Sequence, residues 1–286
     1  MKIGVDSFIW TELFSEKDLW IIPKAKELGF PVLEFAIADP FSFPVDAVNK
    51  ELRKAKFDQI ATSITLGGET NLISPDKAIR ENGIRAMKKM IDINIELGSN
   101  IIAGVNYAAW GYLTKKPRTE QEWEWSVCAM REIATYAKNS SDIRICVEAV
   151  NRFETHFLNI AQDAVQYCID VGTGNMQVHL DCFHMIREET SFTQAVNTCG
   201  KQYLGYVHVC ENNRGIPGTG LVPFEEFFRA LMNIGYDGPV VIESFDPRFE
   251  KLNGNCAIWR KFAETGEQLA VEGLKNLTTV LNSIRN

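Results

Sequence analysis

The chain has 286 residues, of which 45% are hydrophobic and 23% are charged, and its formal net charge is −7. No run of 18 apolar residues is present, which argues against a membrane-spanning helix. Basic residues form no stripe that could follow a phosphate backbone, which argues against a nucleic-acid partner. The seven cysteines are scattered without a CxxC pair, and the N-terminus lacks the apolar stretch of a signal peptide. Together these features predict a cytoplasmic protein with reduced thiols that acts on a small neutral solute.

Strand-like and helix-like segments alternate along the whole chain. Apolar runs predict eight buried parallel strands, at 2–8, 31–36, 58–66, 100–105, 142–148, 176–181, 203–209 and 239–244. Helical patterns fill the intervals, at 16–28, 45–55, 75–97, 118–138, 159–171, 188–199, 223–234 and 264–284. Because the composition does not change along these units, we expect an α/β fold, a closed (β/α)₈ TIM barrel that spans residues 1–286 as a single domain.

A long connection, at about 246–263, follows the eighth predicted strand. Long βα loops on the catalytic face of a barrel are commonly lids or subunit contacts. The apolar residues Ile258 and Trp259 lie in this segment and need burial. We therefore expect the segment near the active-site mouth or at a subunit interface, with a plain insertion as the alternative.

Four ionisable residues follow four consecutive apolar runs: Glu148, Asp181, His208 and Glu243. A single acid after a strand is usually a cap or a salt-bridge partner. In a (β/α)₈ barrel, however, catalytic groups project from the C-terminal ends of different strands, so these four should converge. Three carboxylates and one imidazole suit a hard or borderline divalent cation. The sequence therefore predicts a metal-dependent enzyme.

Glu148 and Glu243 follow the fifth and eighth predicted strands, which lie roughly opposite each other across a barrel mouth. A carboxylate that binds a metal through one oxygen keeps the other oxygen free for proton transfer. Two such groups on opposite faces of a carbon can remove a proton from one face and return it to the other. The pair therefore suits epimerisation next to a carbonyl, with the metal stabilising an enediolate.

Polar residues that share loops with these ligands are candidate substrate contacts: Glu154, His184 and Arg214. Arg214 lies on a loop rich in glycine and proline, which would shape a tight turn near the mouth. Aromatic residues near strand ends are candidates for the apolar wall of a sugar pocket, with core packing as the alternative, and of these we select Trp110 and Phe14. We expect structural roles for His179 and Arg152.

At these motifs the chain resembles the ketose 3-epimerases, the D-tagatose, D-psicose (allulose) and L-ribulose 3-epimerase group of xylose-isomerase-like barrels. The resemblance rests on Glu-x-x-Asn-Arg-Phe-Glu at 148–154, Leu-Asp-x-Phe-His-Met at 180–185, the loop 208–220 and Glu-Ser-Phe at 243–245. It implies interconversion of free ketoses at C3 with one divalent metal ion, Mn²⁺ first and Co²⁺ or Mg²⁺ next. It also implies the metal ligands, acid/base pair and substrate contacts named above, and assembly as a homodimer or homotetramer.

Two single positions and one short segment depart from the pattern of that family. Position 6 is Asp where several members carry an aromatic residue that helps to wall the pocket, and Cys182 stands where Thr is common. Met-Ile-Arg-Glu-Glu at 185–189 replaces the more usual Met-Asn-Ile-Glu-Glu. Because none of these changes touches the four metal ligands, we expect them to affect substrate preference rather than reaction type.

Other functions remain open from the sequence. An aldose–ketose isomerase or a hydroxypyruvate-isomerase-like enzyme would use a similar metal site but move the proton between C1 and C2. A dehydratase acting on an inositol-type ketone is a weaker alternative. An endonuclease-IV-type barrel would need more ligand histidines than the four in this chain. A catalytically silent sugar-binding barrel would lack one of the two opposed acids, and both are present.

Overall fold

The computed structural model describes residues 1–285. Eight parallel strands within this range pair in chain order and close into a barrel, since β1 pairs with both β2 and β8. The strands are β1 Lys2–Asp6, β2 Val32–Ala36, β3 Gln59–Ser63, β4 Ile101–Ala103, β5 Arg144–Glu148, β6 Met176–Asp181, β7 Leu204–Val209 and β8 Pro239–Ile242. The predicted (β/α)₈ barrel is confirmed.

Ten α-helices lie on the outside of the barrel or above its strands in the described part of the chain. They are α1 Ile21–Glu27, α2 Val45–Ala55, α3 Lys77–Leu97, α4 Glu120–Ser140, α5 Ala161–Val171, α6 Cys182–Glu188, α7 Phe192–Tyr203, α8 Phe224–Asn233, α9 Glu250–Asn255 and α10 Gly266–Arg285. No helix of residues 1–285 is both long enough and apolar enough to cross a membrane.

Two of these helices were not predicted. Helix α6 follows β6 without a loop because the Asp181 side chain accepts a hydrogen bond from the Phe183 N–H and caps the helix. Helix α9 lies inside the long connection after β8. Trp259, which we expected to be buried, is 80% exposed.

The barrel interior holds a small apolar cluster of its own. It comprises inward-facing residues from the strands, namely Val32, Ala61, Ile101, Ala103, Cys146, Tyr206 and Val241. A larger core fills the layer between the strands and the outer helices. Because side chains alternate along a strand, the inward-facing positions nearer the carboxyl ends project above this plug. The polar residues at the strand ends therefore lie directly above a packed apolar layer.

Candidate active site

The four predicted ligands meet at the carboxyl end of the barrel. Glu148, Asp181 and His208 lie on β5, β6 and β7, and Glu243 directly follows β8. Asp181 and His208 are register partners on adjacent strands. Asp181, His208 and Glu243 each offer a ligand atom within 4.8 Å of the others, and Glu148, Asp181 and His184 do the same. The tertiary structure thus brings together the quartet selected from the sequence.

One ring nitrogen of His208 is hydrogen-bonded and the other is not. Its Nε2 lies 2.7 Å from Glu34 Oε2, the same oxygen that accepts the Tyr206 hydroxyl at 2.6 Å. Its buried Nδ1 has no hydrogen-bond partner in the described chain and lies 3.5 Å from Glu243 Oε2. A histidine that donates one N–H to a carboxylate presents its other nitrogen as a metal ligand. The orphaned Nδ1 therefore fits a bound cation.

Arg214 lies among the acids of the quartet. Its Nη1 donates to Asp181 Oδ2 at 2.8 Å and to Glu243 Oε2 at 2.6 Å. Burial alone would raise the pKa of Glu243, but Arg214 and His208 hold it well below its usual value. The predicted substrate contact thus touches two predicted metal ligands directly.

Glu148 lies in a contrasting environment. Its carboxylate oxygens are 3.6 Å from His184 Nε2 and 3.7 Å from His179 Nδ1, beyond hydrogen-bond distance. Burial, followed by the negative charges of Glu243 and Asp181, raises the pKa of Glu148 well above its usual value. The pKa values of Glu148 and Glu243 are therefore shifted in opposite directions, a pattern that is common in acid/base pairs.

Glu154 is held at both carboxylate oxygens. Asn151 Nδ2 donates to Oε1 at 2.8 Å, and the Trp110 indole N–H donates to Oε2 at 2.7 Å. The Asn151 backbone N–H also donates to His184 Nδ1 at 3.1 Å. Asn151 therefore orients two predicted substrate contacts at once, which motif reasoning did not foresee.

Arg152 has the surroundings of a structural residue, whereas His179 is a further candidate metal ligand. Arg152 forms a bidentate salt bridge with Glu188, in which Nη2 lies 2.8 Å from Oε2. Ligand atoms of His179, Glu148 and His208 lie within 4.8 Å of one another, and neither ring nitrogen of His179 has a hydrogen-bond partner in the described chain. His179 is fully buried and packs edge-on against His208 with ring centroids 4.2 Å apart. Burial, followed by the charge of His208, lowers the pKa of His179 well below its usual value.

A cavity of about 170 Å³ opens above the quartet and contains both glutamates. It widens at Trp110, Phe183, Arg214 and Cys256 into an outer chamber of about 860 Å³. Polar and apolar residues both line the inner cavity, including Glu148, Glu154, His184, Arg214 and Glu243 among the polar ones and Phe8, Val105, Trp110, Val150, Phe183 and Phe245 among the apolar ones. This combination suits a small polyhydroxy ligand with one apolar face.

Phe14 does not line this cavity, contrary to the wall position expected for it. It packs edge-on against Phe35 at 5.0 Å between centroids and lies 5.7 Å from Phe43. Phe14 is thus part of the core beneath the β1–α1 connection, and Phe8 takes the wall position. Local sequence could not separate the two because both aromatics follow β1 closely.

Asp6 explains how Phe8 reaches the wall. The Asp6 carboxylate accepts a hydrogen bond from the Phe8 N–H and caps the 3₁₀ turn Ser7–Ile9. The side chain of Asp6 is fully buried beside its register partner Glu34. Asp6 therefore does not line the cavity, whereas Phe8, two residues later, does.

Sequence reasoning missed Glu34, and it considered Tyr107 only as one of the candidate wall aromatics, whereas Tyr107 is buried and lies outside the cavity lining. Glu34 supports His208, and the Tyr107 hydroxyl donates to the main-chain carbonyl of Glu148 at 2.8 Å. A signal for Glu34 was available, since it interrupts the apolar run Val32-Leu33-Glu34-Phe35-Ala36. A charged residue inside a buried strand requires a partner.

The chain is similar to known proteins over nearly its full length. Residues 22–279 match the family model described as xylose isomerase-like TIM barrel. A ketose 3-epimerase from Arthrobacter globiformis is 34% identical over 100% of this chain and 98% of the relative. An L-ribulose 3-epimerase from Mesorhizobium japonicum is 33% identical over 91% of this chain and 87% of the relative.

Solved structures agree with these sequence matches. A D-allulose 3-epimerase from Methylomonas sp., crystallised with D-allulose, superimposes with a TM-score of 0.92 at 31% identity, covering 98% of this chain and 96% of the other. A D-psicose 3-epimerase from Clostridium cellulolyticum, crystallised with D-tagatose, gives a TM-score of 0.89 at 30% identity, covering 99% of each chain. The chain therefore belongs to the ketose 3-epimerase family of xylose isomerase-like TIM barrels.

Proposed function

We propose that this protein is a metal-dependent isomerase that epimerises a free ketose at C3. The observation that carries the proposal is the pairing of Glu148 and Glu243 in one small cavity, beside a histidine nitrogen without a partner in the described chain. The curated relatives named as ketose 3-epimerases support the same reaction. D-Allulose, D-tagatose, D-fructose and L-ribulose are the substrates to test first.

The donor set fits one divalent cation, which would be held by Glu148, Asp181, His208 Nδ1 and Glu243. Three carboxylates and one imidazole suit Mn²⁺ first, with Co²⁺ and Mg²⁺ as alternatives. When bound, the cation would stabilise negative charge that develops on the substrate oxygens. It would also offset the repulsion among the three acids, of which two now share the single guanidinium of Arg214.

In the proposed mechanism, the C3–H bond breaks as Glu148 or Glu243 accepts the proton from one face of the sugar. The electron pair of that bond forms the C2–C3 double bond, and the C2 carbonyl oxygen takes the negative charge of an enediolate. The opposed glutamate then donates a proton to the other face of C3, and the carbonyl re-forms. The two directions of epimerisation exchange the roles of the two acids.

Three further residues would orient the sugar. Glu154 keeps lone pairs free beside its bonds from Asn151 and Trp110, so it can accept a substrate hydroxyl. His184 lines the cavity, where its Nδ1 accepts the Asn151 N–H and its Nε2 lies 3.3 Å from Arg214 Nη2. Arg214 would donate to a hydroxyl or carbonyl from its position between Asp181 and Glu243. The rings of Trp110 and Phe8 would pack on the apolar face of the ketose.

The test is proton NMR in D₂O with metal-stripped protein and with Mn²⁺-reconstituted protein. We expect metal-dependent deuterium incorporation at C3 together with appearance of the C3 epimer. Exchange at C1 with aldose formation would assign the chain to the aldose–ketose isomerases instead. Absence of exchange on all four ketoses would overturn the proposed reaction.

Assembly as a homodimer or homotetramer is part of the same proposal, as is a single folded domain. Two large aromatic side chains near the mouth, Phe153 and Trp259, are 68% and 80% exposed in the isolated chain. Exposed aromatic surface of this kind often marks a subunit contact. Light scattering coupled to size-exclusion chromatography measures the assembly directly, and a monomer at all concentrations would contradict it.

A further inference from the structure

The backbone of Arg214 is left-handed, with φ of 63°. A residue other than glycine keeps such a conformation only where its surroundings over-determine it. The Arg214 N–H donates to the Glu211 carbonyl oxygen at 2.9 Å, and the Ser244 hydroxyl donates to the Arg214 carbonyl oxygen at 2.6 Å. The main chain of Arg214 is therefore fixed from both sides.

The side chain of Glu211 organises the loop that carries Arg214. Glu211 is fully buried, and its Oε1 accepts the Gly218 N–H at 2.8 Å. Its Oε2 accepts the N–H groups of Asn212 at 3.2 Å and Val222 at 3.3 Å. No lysine or arginine among residues 1–285 forms a salt bridge with this carboxylate. Its charge is instead satisfied by main-chain donors from both ends of the loop 211–222.

The loop is built closely around this carboxylate. A Cβ atom at Gly220 would lie 2.5 Å from Glu211 Oε2, so only glycine allows the backbone to pass there. Gly218, which donates to Oε1, has a φ of 89°. Two glycines thus let the main chain wrap a buried acid that lines neither the inner cavity nor the outer chamber.

We infer that Glu211 is a positioning residue that acts through Arg214. The Glu211 carboxylate accepts hydrogen bonds from main-chain N–H groups at both ends of the loop 211–222. These bonds hold the left-handed turn from which the Arg214 guanidinium donates to Asp181 and Glu243. The inference rests on the proposed function only in that Arg214 would contact the substrate. The order of the loop 211–222, which the inference also requires, does not depend on the proposed function. Loss of the carboxylate should therefore disorder the loop and weaken substrate binding, without disturbing the strands that carry the metal ligands.

The kinetic test compares Glu211→Gln with Glu189→Gln at saturating Mn²⁺. The Glu211→Gln change places an N–H₂ group against a main-chain N–H, so we expect KM to rise about tenfold with a smaller change in kcat. Glu189 is the matched control, because its carboxylate likewise accepts a main-chain N–H, that of Ala161 at 2.7 Å, away from Arg214. We expect Glu189→Gln to keep the wild-type KM.

A double-mutant cycle separates positioning from a general structural role. If Glu211 acts through Arg214, adding Glu211→Gln to Arg214→Lys should raise KM no further. Independent, multiplying increases in KM would overturn the inference. Gly220→Ala is a second variant that pushes on the same carboxylate oxygen, and we expect it to reproduce the KM effect.

Hydrogen exchange tests the loop without reference to turnover. We expect amides in 212–222 to exchange about tenfold faster in Glu211→Gln, with β7 amides unchanged, because the lost bonds are confined to the loop. Unchanged exchange in 212–222 would overturn the positioning role. If the wild-type protein turned over no ketose, the proposed function would fail, and the exchange result would still decide the role of Glu211.

Discussion

The two halves of the barrel contribute different chemistry to the same cavity. Strands β5 to β8 each carry an ionisable group at or next to their carboxyl end, and these groups lie close together. Strands β1 and β2 instead place Asp6 and Glu34 behind that point, while Phe8 and Val105 from the first half line the apolar wall. The second half thus presents the groups that we propose to react, and the first half supports His208 through Glu34 and shapes the space.

This division has a physical basis in what each position can tolerate. Clustered carboxylates repel one another, and Arg214 offsets part of this repulsion by donating to Asp181 and Glu243. The acids on β1 and β2 are buried behind the site, and burial, followed by the charges of Glu34 and Glu243, raises the pKa of Asp6 well above its usual value. In the first half, Glu34 is buried, and its Oε2 lies within hydrogen-bond distance of the Tyr206 hydroxyl and His208 Nε2.

The largest expected effect lies in the second half. We expect Glu148→Gln and Glu243→Gln each to lower C3 proton exchange by roughly 10²–10⁴-fold, because each removes one acid/base group. Deuterium incorporation at C3, measured by NMR at saturating metal, gives the result. Near-wild-type exchange in either variant would remove that residue from the acid/base pair.

The next largest effect tests whether the first half of the barrel, through Glu34, affects metal binding. We expect Glu34→Gln to weaken Mn²⁺ affinity by about 10–100-fold, because the amide no longer anchors the His208 N–H as a carboxylate does. Titration calorimetry on metal-stripped protein measures the affinity. Tyr206→Phe is the control, since it removes the other bond to Glu34 and keeps the carboxylate at His208. An unchanged affinity in Glu34→Gln would break the division between the halves.

A smaller effect is expected at the substrate contacts. Glu154→Gln should raise KM by about tenfold, because the amide cannot accept both the Asn151 and Trp110 donors in its present orientation. Trp110→Phe removes one of these donors but keeps an aromatic ring at the wall, so it should have a weaker effect. Steady-state kinetics on one ketose decides the order, and the reverse order would show that ring packing dominates.

The smallest effect concerns the apolar wall. We expect Phe8→Ala to change the ratio of kcat/KM between a ketohexose and a ketopentose by about tenfold, since lost wall contacts affect the longer sugar most. Phe14→Leu serves as the comparison, because Phe14 packs against Phe35 and Phe43 away from the cavity. That variant should lower the free energy of unfolding by roughly 1 kcal/mol and leave the ratio unchanged. A changed ratio in Phe14→Leu would restore Phe14 to the wall.

The barrel and the convergence of the quartet could be predicted from local sequence patterns. Each strand is a short apolar run whose signal is local, and parallel strands bring their carboxyl ends to one face. Any polar residue directly after such a run must therefore appear at that face. This is why Glu148, Asp181, His208 and Glu243 could be selected without knowledge of tertiary contacts, and why the family motifs around them were legible.

The groups that support the quartet could not be predicted in this way, because they come from distant parts of the chain. Glu34 and His208 lie 174 residues apart, and their contact depends on register and rotamers that no local pattern specifies. The same holds for the bonds from Arg214 to Asp181 and Glu243, and for the choice of Phe8 over Phe14 at the wall. Side chains from distant strands meet only after the barrel closes, so closure decided how the cavity is shaped and how its charges are balanced.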